Sequence, residues 1–141
     1  MQTRINVLLV DDDDVAREAV IRSFARNDLP IDTVCAEDGS EALDILSSRH
    51  PTRSIRKPLI VLLDLNMPRM NGFEFLENLR SDEQLRDTVV FVLSTSDSDK
   101  DRSRAYHENI AGYLVKSAAG PQFRHLIKLM DAYHQSVCLP I

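Results

Sequence analysis

Three apolar runs, interrupted only by Asn6, constrain the fold of this chain more than any other feature. They cover residues 5–10, 59–63 and 89–93, and none of them alternates apolar with polar side chains. Strands with one face in water alternate, whereas strands covered on both faces read as continuous runs rich in Val, Ile and Leu. The runs therefore predict a parallel sheet with helices on both of its faces.

The segments around these runs complete the pattern. Residues 31–36 and 112–115 are two weaker strand candidates, and residues 123–130 place apolar side chains at the i, i+3, i+4 and i+7 positions of a helix. Strand and helix alternate along the whole chain. The alternation predicts a doubly wound α/β fold with right-handed connections, a five-stranded parallel sheet and five helices.

One domain accounts for most of the length. We expect residues 1–136 to form it and residues 137–141, an apolar tail after the last helix, to be a candidate dimer contact.

The fourth helical segment, residues 100–109, has Ala105 and Tyr106 as nearly its only apolar residues. A helix with so little to bury is predicted to be weakly held and mobile. The acids at its start are expected to cap it: Asp97, Asp99 and Asp101.

Composition and charge exclude several classes of protein. The net charge is −5, the pI is about 5.3 and there is no block of Lys or Arg, which argues against nucleic-acid binding. No apolar stretch is long enough to span a membrane. Four acids follow a short apolar run at the N-terminus, unlike a secretory signal, so we expect a cytoplasmic protein. Cys35 and Cys138 form no CxxC pair and are expected to be reduced thiols.

Polar side chains follow four of the predicted strands. Acids follow the first strand (residues 11–14) and the third (Asp64), hydroxyls end the fourth (residues 94–96), and a lysine ends the fifth (Lys116). In an open parallel sheet, ligands bind beyond the carboxyl ends of the strands. These groups converge on one crevice if strands one, three, four and five are neighbours. The histidines follow no strand and are expected to be surface residues without a role: His50, His107, His125 and His134.

The composition of this crevice favours one chemistry. Each signal alone is weak, because a single Asp after a strand is most often a cap or turn residue, and Asp13 and Asp14 are expected to cap the first helix. Together, crowded carboxylates with waters suit Mg²⁺, and a Mg²⁺ facing a hydroxyl and the Lys116 ammonium would clamp a phosphoryl group. Asp64 is then the group left to attack, and it would form an aspartyl phosphate.

Four motifs occur in order along the chain: VLLVDDDD, VLLDLNMPRMNG, VFVLSTS and GYLVK. As a set they resemble the receiver domain of two-component response regulators, over essentially the whole length. Three short segments resemble the single-domain regulators that serve bacterial phytochromes: KS at residues 116–117, STS at residues 94–96 and SVCLP at residues 136–140. The resemblance implies a flavodoxin-like receiver fold with strand order 2-1-3-4-5.

The same resemblance implies a metal site. Asp64 is the phosphoacceptor and, with Asp12, a direct ligand of Mg²⁺ or Mn²⁺. Asp11, the other member of the acidic pair, acts mostly through water. Asn66 gives the metal its backbone carbonyl.

The resemblance also implies a switch. Ser94 is the hydroxyl that moves to bond the phosphoryl group, Tyr113 is the aromatic residue that swings inward with it, and Lys116 is the ion-pairing lysine. Asn66 and Ser96 occupy positions at which the family tunes the rate of self-dephosphorylation.

Two positions depart from the family pattern. Ser94 replaces the commoner Thr, which is chemically equivalent. Ser117 follows Lys116 where most members have Pro in a cis bond. A cis bond costs ~3 kcal/mol before a non-proline residue and ~0.5–1 kcal/mol before proline, so we expect a trans bond and a differently shaped loop.

The resemblance implies a single-domain response regulator. A sensor histidine kinase, with a bacteriophytochrome as one candidate, would phosphorylate Asp64. We expect no output domain after the last helix, so the signal must pass by contact with a downstream protein target. Phosphorylation is expected to repack the surface of the fourth helix, fifth strand and fifth helix, and the tail, residues 137–141, is expected to dock on a second copy.

Two alternatives stay open, although we expect no enzyme beyond the protein's own phosphorylation and dephosphorylation. One is a Mg²⁺-dependent phosphatase of the haloacid dehalogenase type, in which a second Asp stands two residues after the nucleophile. Asn66 occupies that place and cannot act as the general acid. The other is a scaffold that binds its partner whether or not it is phosphorylated.

Overall fold

The predicted architecture is confirmed. The computed structural model describes residues 4–118 and 123–141. Five parallel strands form one sheet in the order β2-β1-β3-β4-β5. The strands are β1 (Ile5–Val10), β2 (Ile31–Ala36), β3 (Leu59–Leu63), β4 (Val89–Ser94) and β5 (Gly112–Val115), and the helices are α1 (Asp14–Arg26), α2 (Gly39–Leu46), α3 (Gly72–Ser81), α4 (Asp99–His107) and α5 (Arg124–Ser136).

Each face of the sheet has its own apolar core. Leu8 and Val10 of β1 belong to a core that includes buried residues of α2 and α3. Val7 and Leu9 point the other way and belong to a core shared with α1 and α5. Because the central strands are covered on both faces, every residue of β3 is buried. The continuous apolar runs in the sequence follow from this double burial.

The first three helices begin at capping side chains. The Asp13 carboxylate accepts hydrogen bonds from the first turn of α1, which confirms its predicted role, and Asp38 caps α2 in the same way. Asn71 forms a reciprocal capping box with Glu74 at the start of α3. Caps of this kind satisfy backbone N–H groups that have no partner within the helix, and each contributes about 1 kcal/mol.

The fourth helix begins differently from the prediction. Its N-cap is Ser98, whose hydroxyl accepts a hydrogen bond from the backbone N–H of Asp101, so the expectation that an acid caps α4 is wrong. Ser98 offers a hydroxyl at the N-cap position, while Asp99 and Asp101 lie in the first turn. The sparse burial was predicted correctly, because Ala105 is the buried residue of α4.

The C-terminal part of the chain packs back on the domain. The sequence Gly120–Pro121 predicts the start of the last helix, but these two residues lie outside the described ranges. Beyond α5, residues 137–141 have no regular secondary structure. Leu139 packs against the α1–α5 core, whereas Val137 and Ile141 are exposed. Within the described ranges, no helix has the length and apolar character needed to cross a membrane.

The expectation that the histidines are surface residues is wrong for His50. Its side chain is 12% exposed, and its Nε2 lies 3.4 Å from Oε2 of Glu41. Its Nδ1 accepts hydrogen bonds from the backbone N–H groups of Thr52 and Arg53. His50 therefore organises the loop between α2 and β3. His134 is also only partly exposed.

Candidate functional site

Three carboxylates gather at the carboxyl ends of β1 and β3, as predicted. Oxygen atoms of Asp11, Asp12 and Asp64 lie within 4.8 Å of one another. Asp11 is 4% exposed and Asp64 is 7% exposed, whereas Asp12 lies in the open. A buried pair with an exposed third carboxylate leaves one side of the cluster open to water. This donor set fits a divalent cation that keeps several waters.

Strand register brings the two buried carboxylates together. Val10 pairs with Leu63 in the β1–β3 ladder, so the next residue on each strand is an aspartate. The backbone N–H of Asp64 donates to the Val10 carbonyl over 2.9 Å, and the N–H of Asp11 donates to the Ala36 carbonyl over 3.0 Å. The ladder thus continues one residue past the strands and fixes the backbone of both acids.

The charge of Asp64 is costly where it lies. Burial and, next, the neighbouring Asp11 carboxylate raise the pKa of Asp64 from 3.8 to about 6. The Lys116 ammonium and a hydrogen bond from the Asn66 backbone N–H oppose this rise. A cation among the three carboxylates would relieve both the burial penalty and the repulsion.

Lys116 reaches this cluster from the end of β5. Its Nζ donates to Oδ2 of Asp11 over 2.8 Å, although β3 and β4 lie between the two strands. Among the described residues the cis peptide bond is Lys57–Pro58, so the bond from Lys116 to Ser117 is trans, as expected. The trans bond still delivers the ammonium to the crevice.

The predicted switch residues lie on the neighbouring strands. Ser94 is fully buried, and its Oγ accepts a hydrogen bond from the backbone N–H of Ser96 over 3.2 Å. The Tyr113 hydroxyl donates to the Ser96 carbonyl over 2.9 Å, which ties β5 to the loop before α4. Ser96 Oγ in turn donates to Oδ2 of Asp101 over 2.7 Å. One hydrogen-bonded chain therefore joins Ser94, Tyr113 and the first turn of α4.

A sequence model described as "Response regulator receiver domain" matches residues 7–128. The chain belongs to this family. The match covers most of the chain and includes every candidate site residue. Neither the phosphatase nor the scaffold alternative gains support from this match.

Curated relatives support this assignment. The receiver domain is 33% identical over 127 residues to a probable methanogenesis regulatory protein, FilR2 of Methanothrix harundinacea. The alignment covers 90% of this chain and 81% of the relative. It is 35% identical over 115 residues to the response regulator MprA of Mycolicibacterium vanbaalenii, 82% of this chain. It spans only 45% of MprA, so that relative extends well beyond the shared region.

Solved structures extend the likeness to phytochrome-associated regulators. The phosphorylated cyanobacterial phytochrome response regulator RcpA aligns with a TM-score of 0.85 and 29% identity, over 99% of this chain and 100% of that one. The Mn²⁺-bound form of the response regulator Rcp1 aligns with a TM-score of 0.83 and 25% identity, over the same shares. A divalent cation at the carboxylate cluster agrees with this likeness and with the geometry.

The receiver domain also holds site residues that sequence reasoning missed. A Cβ on Gly72 would lie 2.6 Å from the Asp64 carbonyl oxygen, so only glycine lets α3 begin this close to Asp64. Arg104 of α4 lines an open cavity together with Asp12 and Asn66. The "MNG" segment gave a turn signal for Gly72, whereas no sequence pattern places Arg104 at the cavity. The roles of the predicted residues in phosphoryl transfer stay predictions.

Proposed function

We propose that this receiver domain accepts a phosphoryl group from a sensor histidine kinase onto Asp64 and thereby switches a protein-interaction surface. The observation that carries the proposal is the gathering of three carboxylates within 4.8 Å, with the Lys116 ammonium 2.8 Å from Asp11. Carboxylates that crowd in this way repel one another unless a cation joins them. Membership of the receiver family and the likeness to phosphorylated RcpA support the same function.

Asp64 would act as the nucleophile. Asp12, Asp64 and the Asn66 carbonyl would hold Mg²⁺, or Mn²⁺ in its place, and Asp11 would contact it through water. The cation would supply positive charge to neutralise the phosphoryl oxygens. One oxygen of Asp64 attacks phosphorus while the bond from phosphorus to the donor histidine nitrogen breaks. The imidazole leaves with that electron pair. With a pKa of about 6, Asp64 is largely ionised at neutral pH and available to attack.

Two further groups would hold the product. Lys116 would pair with one phosphoryl oxygen, and the Ser94 hydroxyl would donate to another. Ser94 now accepts a hydrogen bond from the Ser96 N–H, and the Tyr113 hydroxyl bonds the Ser96 carbonyl. A movement of Ser94 would therefore pull on Tyr113 and on the start of α4. This couples the phosphoryl group to the surface formed by α4, β5 and α5.

The kinase assignment is tested by phosphotransfer. A phytochrome-type kinase is the first donor to try, because RcpA is a phytochrome response regulator. The kinase, labelled with radioactive phosphate, is mixed with the receiver domain and Mg²⁺. We expect label on the wild type and on the exposed control Asp87→Asn, and none on Asp64→Asn or with EDTA present. Transfer to Asp64→Asn at the wild-type rate would overturn the proposal.

We propose that the domain acts in the cytoplasm and hydrolyses its own aspartyl phosphate, which is an acyl phosphate. We propose that it hydrolyses no phosphate ester. Incubation with an aryl phosphate and Mg²⁺ should then release no more phenol than buffer does. Steady turnover that disappears in Asp64→Asn would instead indicate a phosphatase.

We further propose that the tail takes part in a homodimer, because Val137 and Ile141 remain exposed while Leu139 anchors the tail to the domain. Val137→Asp with Ile141→Asp keeps that anchor. Size-exclusion chromatography with light scattering should show a smaller species for this double variant than for the wild type. Equal masses would remove the tail from the interface, and truncation after Ser136 provides the comparison that also loses Leu139.

A further inference from the structure

The cavity beside the carboxylate cluster of Asp11, Asp12 and Asp64 is lined, among the described residues, by one positively charged side chain, Arg104. Asp12, Asn66, Phe73 and Arg104 are among the residues that line it. Asp12 belongs to the proposed metal site, so the cavity adjoins the place where a phosphoryl group would be transferred. A phosphodonor that enters here passes the guanidinium of Arg104.

Arg104 is held in place while its hydrogen-bonding groups stay open. Its guanidinium carbon stands 4.1 Å from the centre of the Phe73 ring. Its Nη2 lies 3.6 Å from Oε1 of Glu77, and both side chains are more than half exposed. A pair this long and this exposed contributes little. The ring therefore covers one face of the guanidinium, and the N–H groups along its edge remain available to an incoming anion.

Charge explains why a cation is useful at this position. Asp11, Asp12 and Asp64 with Lys116 and a divalent cation have no net charge together. A phosphodonor carries a dianionic phosphoryl group and would feel little attraction from such a neutral centre. A guanidinium at the mouth supplies the missing attraction, and its planar fork can donate two hydrogen bonds to phosphoryl oxygens.

We propose that Arg104 binds the phosphoryl dianion of the donor before transfer to Asp64. This inference rests on the proposed function and deepens it, because it assigns a donor-binding residue to the same site. The chemistry recognised is a phosphoryl dianion with a good leaving group. It is shared by phosphohistidine of a kinase and by small acyl phosphates. The competing interpretation is that Arg104 only fastens α4 to α3 through Phe73 and Glu77.

Kinetics with acetyl phosphate separate the two interpretations. Arg104→Gln should raise the acetyl phosphate concentration at half-maximal rate about tenfold, by loss of one attractive charge at the mouth. The maximal rate and the Mg²⁺ affinity should stay near those of the wild type. Arg104→Lys should recover part of the loss. The effect should shrink at high ionic strength, because salt screens an exposed charge.

Two control variants match the substitution. Glu77→Gln removes the carboxylate that lies 3.6 Å from Arg104 but keeps the guanidinium, and Arg86→Gln removes an exposed positive charge elsewhere. Both should behave as the wild type. If Glu77→Gln reproduces the Arg104→Gln kinetics, or if Arg104→Gln lowers the unfolding midpoint without changing the half-maximal concentration, the fastening interpretation holds and the proposal falls.

Two further arms identify the source of the phosphoryl group and keep the tests independent. Transfer from a phosphorylated kinase domain should show the same Arg104→Gln defect at low kinase concentration if phosphohistidine uses this contact. A defect with acetyl phosphate alone would restrict Arg104 to small donors. Acetonylphosphonate, which cannot transfer its phosphorus, is titrated by NMR into the Mg²⁺-loaded wild type and Arg104→Gln. Equal affinities overturn the inference, whereas weaker binding to Arg104→Gln supports it even if no transfer to Asp64 is found.

Discussion

Helices α3 and α4 follow the strands that lead to Asp64 and to Ser94, yet the two helices are held in opposite ways. α3 buries Phe73, Phe75, Leu76 and Leu79, besides Gly72. α4 buries Ala105 alone, and hydrogen bonds at its two ends and the packing of Arg104 on the Phe73 ring are among its other contacts. The helix that follows Asp64 is thus fixed by core packing, whereas the helix that follows Ser94 is held mainly by polar contacts.

The hydrogen bonds that join α4 to the rest of the domain lie at its ends. At the start, Ser98 caps the helix and Asp101 accepts the Ser96 hydroxyl. At the end, Arg80 of α3 donates to the carbonyl oxygens of Glu108 and Asn109 over 2.7 and 3.0 Å. Net hydrogen-bond energies are small compared with the burial of several large side chains. A helix fastened in this way can shift when one contact changes, which suits a switch element.

The largest expected effect tests the packing side of this comparison. Leu79→Ala in α3 leaves a cavity in the core and should cost roughly 2–5 kcal/mol of unfolding free energy. Ala105→Gly in α4 should cost about 1 kcal/mol, because it loses helix propensity and little packing. Urea denaturation followed by circular dichroism measures both. Equal losses would mean that α4 is as firmly packed as α3.

The second effect concerns the buried charge on the α3 side. The folded-state pKa of Asp64, about 6, lies above the unfolded value of 3.8. The folded protein therefore binds more protons between these values, and stability falls as pH rises from about 4 through 6. In EDTA at pH 8, Asp64→Asn should be more stable than the wild type by up to about 3 kcal/mol, and the gap should close near pH 4. A gap that does not change with pH would contradict the burial argument.

The third effect tests the polar attachment of α4. Burial lowers the pKa of Arg80, and its guanidinium is satisfied by four backbone carbonyls. Arg80→Met keeps much of the volume and leaves those carbonyls without this donor, which should cost about 2 kcal/mol. Hydrogen exchange should speed up more in α4 than in α3. Uniform acceleration across both helices would show that Arg80 supports the whole domain rather than α4.

The smallest expected effect is the loss of an N-cap at the start of α3 or of α4. Asn71→Ala and Ser98→Ala should each cost about 1 kcal/mol. Loss of the Ser98 cap should appear as faster amide exchange within α4 alone, because few packing contacts hold that helix. Loss of the Asn71 cap should appear only as a lower global stability. Local exchange in α3 after Asn71→Ala would remove the distinction between the helices.

The strands were predictable, because burial on both faces produces continuous apolar runs. The carboxylate cluster was predictable, because parallel strands bring their carboxyl ends together. Asp11 and Asp64 follow the apolar runs of β1 and β3, and the register does the rest. The long-range polar contacts were not predictable. Arg80 is partly buried on α3 and Arg104 is exposed on α4. Both contact atoms that folding brings near, and a single arginine has no sequence pattern of its own. His50 was missed for the same reason.

The central claim is that a divalent cation lets Asp64 take a phosphoryl group. The most direct measurement is peptide mapping by mass spectrometry after treatment with acetyl phosphate, with Mg²⁺ or with EDTA. We predict one phosphoryl group on the peptide that contains Asp64, present only with Mg²⁺ and missing from Asp64→Asn. A phosphoryl group on another residue, or one that forms equally well in EDTA, would contradict the account.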